Sequence, residues 1–124
     1  MDIGVHVLDA ALWMMDYPDP SSALGSTYTK VVPKQIRDLY GDAKSIFDVE
    51  DLACAIVKLN GGACILLEVS WASYIEKDRL YLDLCGTEGG AEFNWGSPTP
   101  IRIFTDEEKT PVTITPDLSK VKKG

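Results

Sequence analysis

The residues best suited to chemistry stand in "DIGVHVLD", residues 2–9. His6 is the one histidine in a sequence of 124 residues, and Asp2 precedes it by four positions. On a helix, i and i+4 lie on neighbouring turns of one face, so the acid and the imidazole would meet. The pair can be read in two ways. In one, they form a surface pair worth on the order of a few tenths of a kcal/mol. In the other, Asp2 fixes one ring nitrogen and stabilises the imidazolium, which leaves the second nitrogen to take a proton as a general base. The first helical turn works against the acid, because the positive end of the helix dipole favours neutral imidazole. Spacing alone leaves both readings open.

The element that must carry this pair is "IGVHVLDAALWMMD", residues 3–16, which reads as a helix. Asp2 can cap its N-terminus, and Tyr17-Pro18 with Pro20 stops it, since proline cannot continue a helix. Val5, Leu8, Leu12 and Met15 make one apolar stripe, and Val7, Ala11 and Met14 make a second beside it. Such a helix should be covered on more than one side. Asp2, His6, Asp9 and Trp13 occupy the face that remains.

Beyond the helix the chain reads mostly as strand. Residues 22–32, "SALGSTYTKVV", are rich in β-branched residues, and "PKQIRDLYG" after them reads as a short helix or irregular turn. "DVEDLACAIVKL" and "ACILLEVSWASY" flank Asn60-Gly61-Gly62, a hairpin signal because the turn needs positive φ. Opposed residues should then sum to about 121–123, which sets Cys54 against residues 67–69 and not against Cys64. A second hairpin is expected from "RLYLDLCG", "TEGG" and "AEFNW", followed by "IRIFT" and "PVTIT" around the charged turn "DEEK". One helix and six or seven strands joined by short turns make an α+β pattern. The expectation is a mainly antiparallel open sheet of about six strands, with helical cover on one face.

Other candidate sites have plain structural readings. "GTEGGAEF" precedes a strand and so offers no helix N-terminus to a phosphate; neither GxGxxG nor GxxxxGK[ST] occurs. Glu50, Asp51, Glu68, Glu76, Asp83, Glu88 and Glu92 show no repeating ligand spacing and read as a solvated face. Cys54, Cys64 and Cys85 form no CxxC and have no second histidine to join, which argues against zinc; they read as reduced, buried thiols. Trp71, Tyr74 and Trp95 suit core or interface packing, or the wall of a pocket.

Size and charge bound the function. A chain of this length is expected to form a single domain over residues 1–124, burying roughly two thirds of its unfolded surface. A formal net charge of −7 repels phosphate backbones and anionic headgroups, so neither nucleic acid nor a membrane is expected as partner. "SKVKKG" at the end has no aromatic company and reads as a tail. No apolar run approaches the roughly eighteen residues of a membrane span, and the opening stretch lacks the basic leader of a signal peptide. A cytoplasmic protein is expected.

"DIGVHVLDAALWMMDYPDPSSALGS" resembles the opening of the second domain of the Gfo/Idh/MocA dehydrogenases, whose pattern there is D-x-G-x-H-x-x-D, an apolar helix with a tryptophan, and a short turn into a strand. Asp2, Gly4, His6, Asp9 and Trp13 match it in order. "FDVEDLACAIVKLNGGACILLEVSW" resembles the block after it in that family, an acid before a strand, a glycine turn and a strand ending Ser-Trp, and "LCGTEGGAEFN" resembles the next hairpin. The likeness covers most of residues 2–95.

The resemblance implies a two-domain enzyme that uses NAD or NADP to oxidise a CH–OH carbon of a sugar, cyclitol or related compound, or runs the reverse reaction. His6 would match the catalytic histidine and Asp2 the acid that assists it. Trp71 and Tyr74 become candidate contacts for a small polyhydroxylated substrate, or for a homo-oligomer formed through the sheet face. The family's Rossmann domain, its nucleotide-binding glycines and the lysine of its Glu-Lys-Pro motif have no counterpart here; "EKTP" at Glu108–Pro111 is not that motif. The expectation is therefore a substrate-side domain that lacks its Rossmann partner, binds no NAD or NADP alone and does not turn over alone. The alternative is a non-catalytic dimerisation or partner-docking module that keeps the fold.

Overall fold

The computed structural model describes residues 2–32 and 49–120, the side chains of Asp2 and Lys120 excepted. The chain divides into two compact units, Met1–Glu76 and Lys77–Gly124. The sequence reading of residues 33–41 as a short helix or turn lies outside the described residues, as do the last four residues of the basic tail.

The first unit opens with α1, Asp2–Met14. It stops two residues before the expected end because the chain reverses hand there. Asp16 and Tyr17 have φ of 62° and 50°. The Asp16 amide donates to the Trp13 carbonyl at 3.1 Å and the Tyr17 amide to the Leu12 carbonyl at 2.8 Å. This pairing of bonds is the Schellman termination, with aspartate standing where glycine is commonest. Pro18 comes next, and the chain leaves for the sheet.

Three antiparallel strands make up the rest of the unit: β1, Pro20–Tyr28; β2, Leu52–Leu59; and β3, Cys64–Ser70, in the order β1-β2-β3. Gly61 and Gly62 turn between β2 and β3 with φ of 87° and 95°, which glycine adopts without steric cost. Cys54 opposes Glu68 in the register anticipated from that turn. β1 ends earlier than expected, and Val31 and Val32 are helical rather than extended. The cause is a distant carboxylate, that of Asp51, which accepts both their amides.

Alternation divides the sheet into two unlike faces. Ala53 pairs with Val69 on the face that meets α1, and a Cβ on Gly4 would lie 2.8 Å from Val69 Cγ2, so the helix approaches β3 at a glycine. Ala11, Ala53 and Leu59 are buried. On the opposite face Leu24, Ile56 and Leu66 stand side by side across the three strands. Leu24 is 76% exposed and Leu66 78%. Cys54 and Cys64 share this outer face by strand alternation, and all three cysteines are free and exposed. The expectation of buried thiols is therefore corrected: in the first unit α1 covers the face carrying Ala53 and Val69 and leaves Cys54 and Cys64 on the other, while Cys85 is an exposed residue of the second unit.

The second unit is a four-stranded antiparallel meander of β4, Tyr81–Cys85; β5, Gly90–Asn94; β6, Ile101–Glu107; and β7, Thr110–Ile114. A Cβ on Gly89 would sit 2.6 Å from the Phe104 carbonyl oxygen, and one on Gly90 2.7 Å from that of Leu84. These glycines let backbones close up, as a plain hairpin requires. Arg102 pairs with Glu92 across β5 and β6, and its guanidinium lies 5.6 Å from the centre of the Phe104 ring.

The α+β class and the antiparallel pairing agree with expectation, but the single sheet of about six strands does not. Seven strands among the described residues form two sheets, of three and four. The ladder of the first ends at Leu52 opposite Ser70. There the Ser70 hydroxyl and the Trp71 amide turn to the Asp51 carbonyl, and the next strand begins at Tyr81.

Candidate functional site

α1 carries the first two predicted site residues. His6 is exposed on the helix, two residues past the Gly4 contact with β3. Asp2 lies in the first turn, and its side chain is outside the described set. Asp9, the last acid of the motif, is engaged toward the other end of the helix. The Tyr17 hydroxyl donates to its Oδ1 at 3.3 Å. Partial loss of hydration first, then the Asp9 charge and this hydrogen bond, raise the Tyr17 phenol above its usual value.

Trp71 and Tyr74 lie just past β3. The Trp71 indole nitrogen donates to the Glu50 carbonyl at 2.8 Å, and the ring remains half exposed. Tyr74 is 76% exposed. A cleft of about 360 Å³ is lined by Ile3 of α1, Val49–Ala53, Val69 and Trp71. The fold thus brings the start of α1 and Trp71 around one space, while His6 and Tyr74 are not part of its lining.

The residue that sequence reasoning missed is Asp51. It was expected on a solvated face and is 1% exposed. Its Oδ2 accepts the amides of Lys30, Val31 and Val32 at 2.7, 2.7 and 3.1 Å. Oδ1 is buried without a hydrogen-bond partner. Three converging amides balance the charge of a carboxylate taken out of water, and they hold Val31 and Val32 in helical geometry. The signal that could have found it is the block "FDVED…VSW", which sets an acid just before one strand and a Ser-Trp pair at the end of the next.

A nicotinamide cofactor would need a phosphate cradle, and neither candidate among the described residues offers one. The convergent amides of Lys30–Val32 already hold a carboxylate, whose charge would repel phosphate. The Gly86–Gly90 turn opens a strand, and neighbouring carbonyls lie where a Cβ on Gly89 or Gly90 would sit.

Comparison with known proteins places these features. The profile of the GFO/IDH/MocA C-terminal domain matches residues 1–92. The chain belongs to that family. It is also similar to a D-glucoside 3-dehydrogenase of Escherichia coli (strain K12), with 27% identity over 116 residues. That alignment takes in 92% of this chain and 32% of the dehydrogenase, so the chain spans about a third of the relative's length. The family match contains both predicted site pairs, Asp2 with His6 and Trp71 with Tyr74, and the missed Asp51. Members of this family are sugar dehydrogenase-like oxidoreductases, typically dependent on NAD or NADP. No helix among the described residues is long and apolar enough to cross a membrane.

Proposed function

We propose that this chain is the substrate-side part of an NAD(P)-dependent dehydrogenase that acts on a CH–OH group of a glycoside, sugar or cyclitol. The observation that carries the reading is the family match over α1 and β1–β3, joined to the likeness to a D-glucoside 3-dehydrogenase. The nucleotide is held by a Rossmann domain outside these residues and supplies the hydride acceptor. This chain binds no cofactor alone and does not turn over alone.

Its own part is to hold the polyol and to manage one proton. His6, exposed on α1, takes the hydroxyl proton at an imidazole nitrogen as the carbinol is oxidised. Asp2, four residues earlier, orients the ring and stabilises the imidazolium. General-base assistance of this kind is worth about a hundred- to ten-thousand-fold in rate. Trp71 and Tyr74 offer aromatic faces to the C–H surface of the substrate, a role that their exposure allows. The open face of the first sheet joins copies of the chain in a homo-oligomer, because the row Leu24, Ile56 and Leu66 leaves large apolar side chains in water.

That same row supports the second reading, a docking module without catalysis. Turnover separates the two. The test is a chimera in which this chain replaces the matching third of the D-glucoside 3-dehydrogenase, screened with glucosides, free sugars and cyclitols against NAD+ and NADP+. Reduced cofactor formed at a rate that saturates with substrate supports the dehydrogenase. A folded, oligomeric chimera inert toward every polyol leaves the docking module.

A further inference from the structure

We propose that Asp51 is the positioning residue that sets Trp71 in the substrate site, a role that rests on reading Trp71 as a substrate contact. Asp51 is the node at which the ends of all three strands of the first sheet meet. Its amide donates to the Tyr28 carbonyl at 2.8 Å, at the end of β1. Its carboxylate gathers the three amides of Lys30–Val32 beyond β1, and its carbonyl accepts the Ser70 hydroxyl at 2.7 Å and the Trp71 amide at 3.4 Å, at the end of β3. The preceding carbonyl, that of Glu50, accepts the Trp71 indole N–H at 2.8 Å. The Ser70 hydroxyl in turn accepts the Ala72 amide at 3.2 Å.

The consequence for Trp71 is geometric. A tryptophan side chain has two torsions, and a hydrogen bond from its Nε1 to a fixed backbone oxygen settles both. That oxygen is fixed only if the Glu50–Asp51 backbone is fixed. The Asp51 side chain does this by binding the backbone to the amides beyond β1. The ring then forms a wall of the cleft in one orientation and does not sweep its mouth. Aspartate suits the node better than asparagine, whose amide –NH2 cannot accept: it would either face three N–H donors at the Oδ2 position or take the buried, unpartnered position of Oδ1. Glutamate would carry the carboxylate a methylene too far for three amides already within 3.1 Å.

The readout is hydrogen exchange of the indole N–H by NMR. The chain has three tryptophans, so Trp71→Phe assigns the resonance. In Asp51→Asn the Trp71 indole proton is expected to exchange at least about tenfold faster, while the amides of β6 and β7 keep their protection. If the Lys30–Val32 amides lose protection and the indole does not, the carboxylate merely caps that turn and the proposal is wrong. If Asp51→Asn does not fold, the unmodified chain decides. In rising urea the Trp71 indole and the Val31 and Val32 amides should open together, with protection equal within about threefold; separate openings overturn the proposal. Titration with methyl β-D-glucoside tests the reading beneath it. A coupled Trp71 that ignores the glucoside keeps the positioning role and removes the substrate contact.

Discussion

Replacing Asp51 by alanine should weaken the first unit by an amount that can be worked from its contacts. Three amides lose an acceptor at 2.7, 2.7 and 3.1 Å. The Lys30 and Val31 bonds are only partly buried, so water can replace the carboxylate there. The Val32 bond is buried, and its amide is left without a partner, which costs about 1–3 kcal/mol. Loss of the cap on Val31–Val32 adds about 0.5–2 kcal/mol. Removing a buried carboxylate with one unpartnered oxygen returns part of this, and the net is a loss of about 1–4 kcal/mol. With a urea slope near the middle of the usual range, the midpoint falls by roughly 0.5–2 M. Fluorescence-detected urea unfolding in a Trp95→Phe background confines the signal to Trp13 and Trp71, which both lie in the unit Met1–Glu76. Asp51→Asn keeps an acceptor for the amides and should lose about 1 kcal/mol. A midpoint that moves by less than roughly 0.3 M in Asp51→Ala, or an asparagine variant as weak as the alanine one, would mean that the carboxylate does not hold these amides.

The same geometry sets three further outcomes. Gly4→Val should destabilise the first unit by about 2–3 kcal/mol in the same assay, since even a Cβ would meet Val69 Cγ2 at 2.8 Å; an unchanged midpoint would mean that α1 does not rest there. On the proposed association through the open sheet face, Leu66→Glu should raise the dissociation constant of the homo-oligomer at least about tenfold in sedimentation equilibrium; an unaltered constant, or no self-association in the unmodified chain, would overturn that association. Loss of hydration first, then the Asp9 charge and hydrogen bond, raise the Tyr17 phenol, so the stability gained by keeping it neutral is present below the ordinary tyrosine range and is lost as pH climbs through the higher, folded-state value. A phenolate absorbance titration compared between the unmodified chain and Tyr17→Phe should show Tyr17 ionising above the ordinary tyrosine range, and Asp9→Asn should advance it; a Tyr17 step that Asp9→Asn leaves in place would contradict this.

Features written locally in the sequence were legible. Asn60-Gly61-Gly62 between two alternating runs supplies positive φ and a register, and Cys54 indeed faces Glu68. Proline after an apolar helix marks its end to within two residues, the difference being a left-handed Asp16 that no proline rule contains. Partners chosen across distance were not legible. A period of two identifies a strand but not its neighbours, so one sheet was expected where there are two. The same period leaves open which face a helix covers, and the cysteines of β2 and β3 fell on the uncovered one. Asp51 was hidden most completely. Its partners are backbone amides 19 to 21 residues upstream, and an amide has no side chain to announce it. Of the candidate site, the acid–histidine spacing and the aromatic pair rest on residue types, and of these four residues only Trp71 lines the cleft. The cleft between Ile3 and Trp71 exists only once α1 is seated on β3.

In the proposed reaction one imidazole on α1, that of His6, takes the proton of a polyol hydroxyl. The most direct measurement is steady-state kinetics of the glucoside 3-dehydrogenase chimera with and without His6→Ala. The substitution is expected to lower kcat by about a hundred- to ten-thousand-fold while KM for the glucoside moves by no more than about threefold. A His6→Ala chimera that keeps its kcat would mean that this imidazole is not the base.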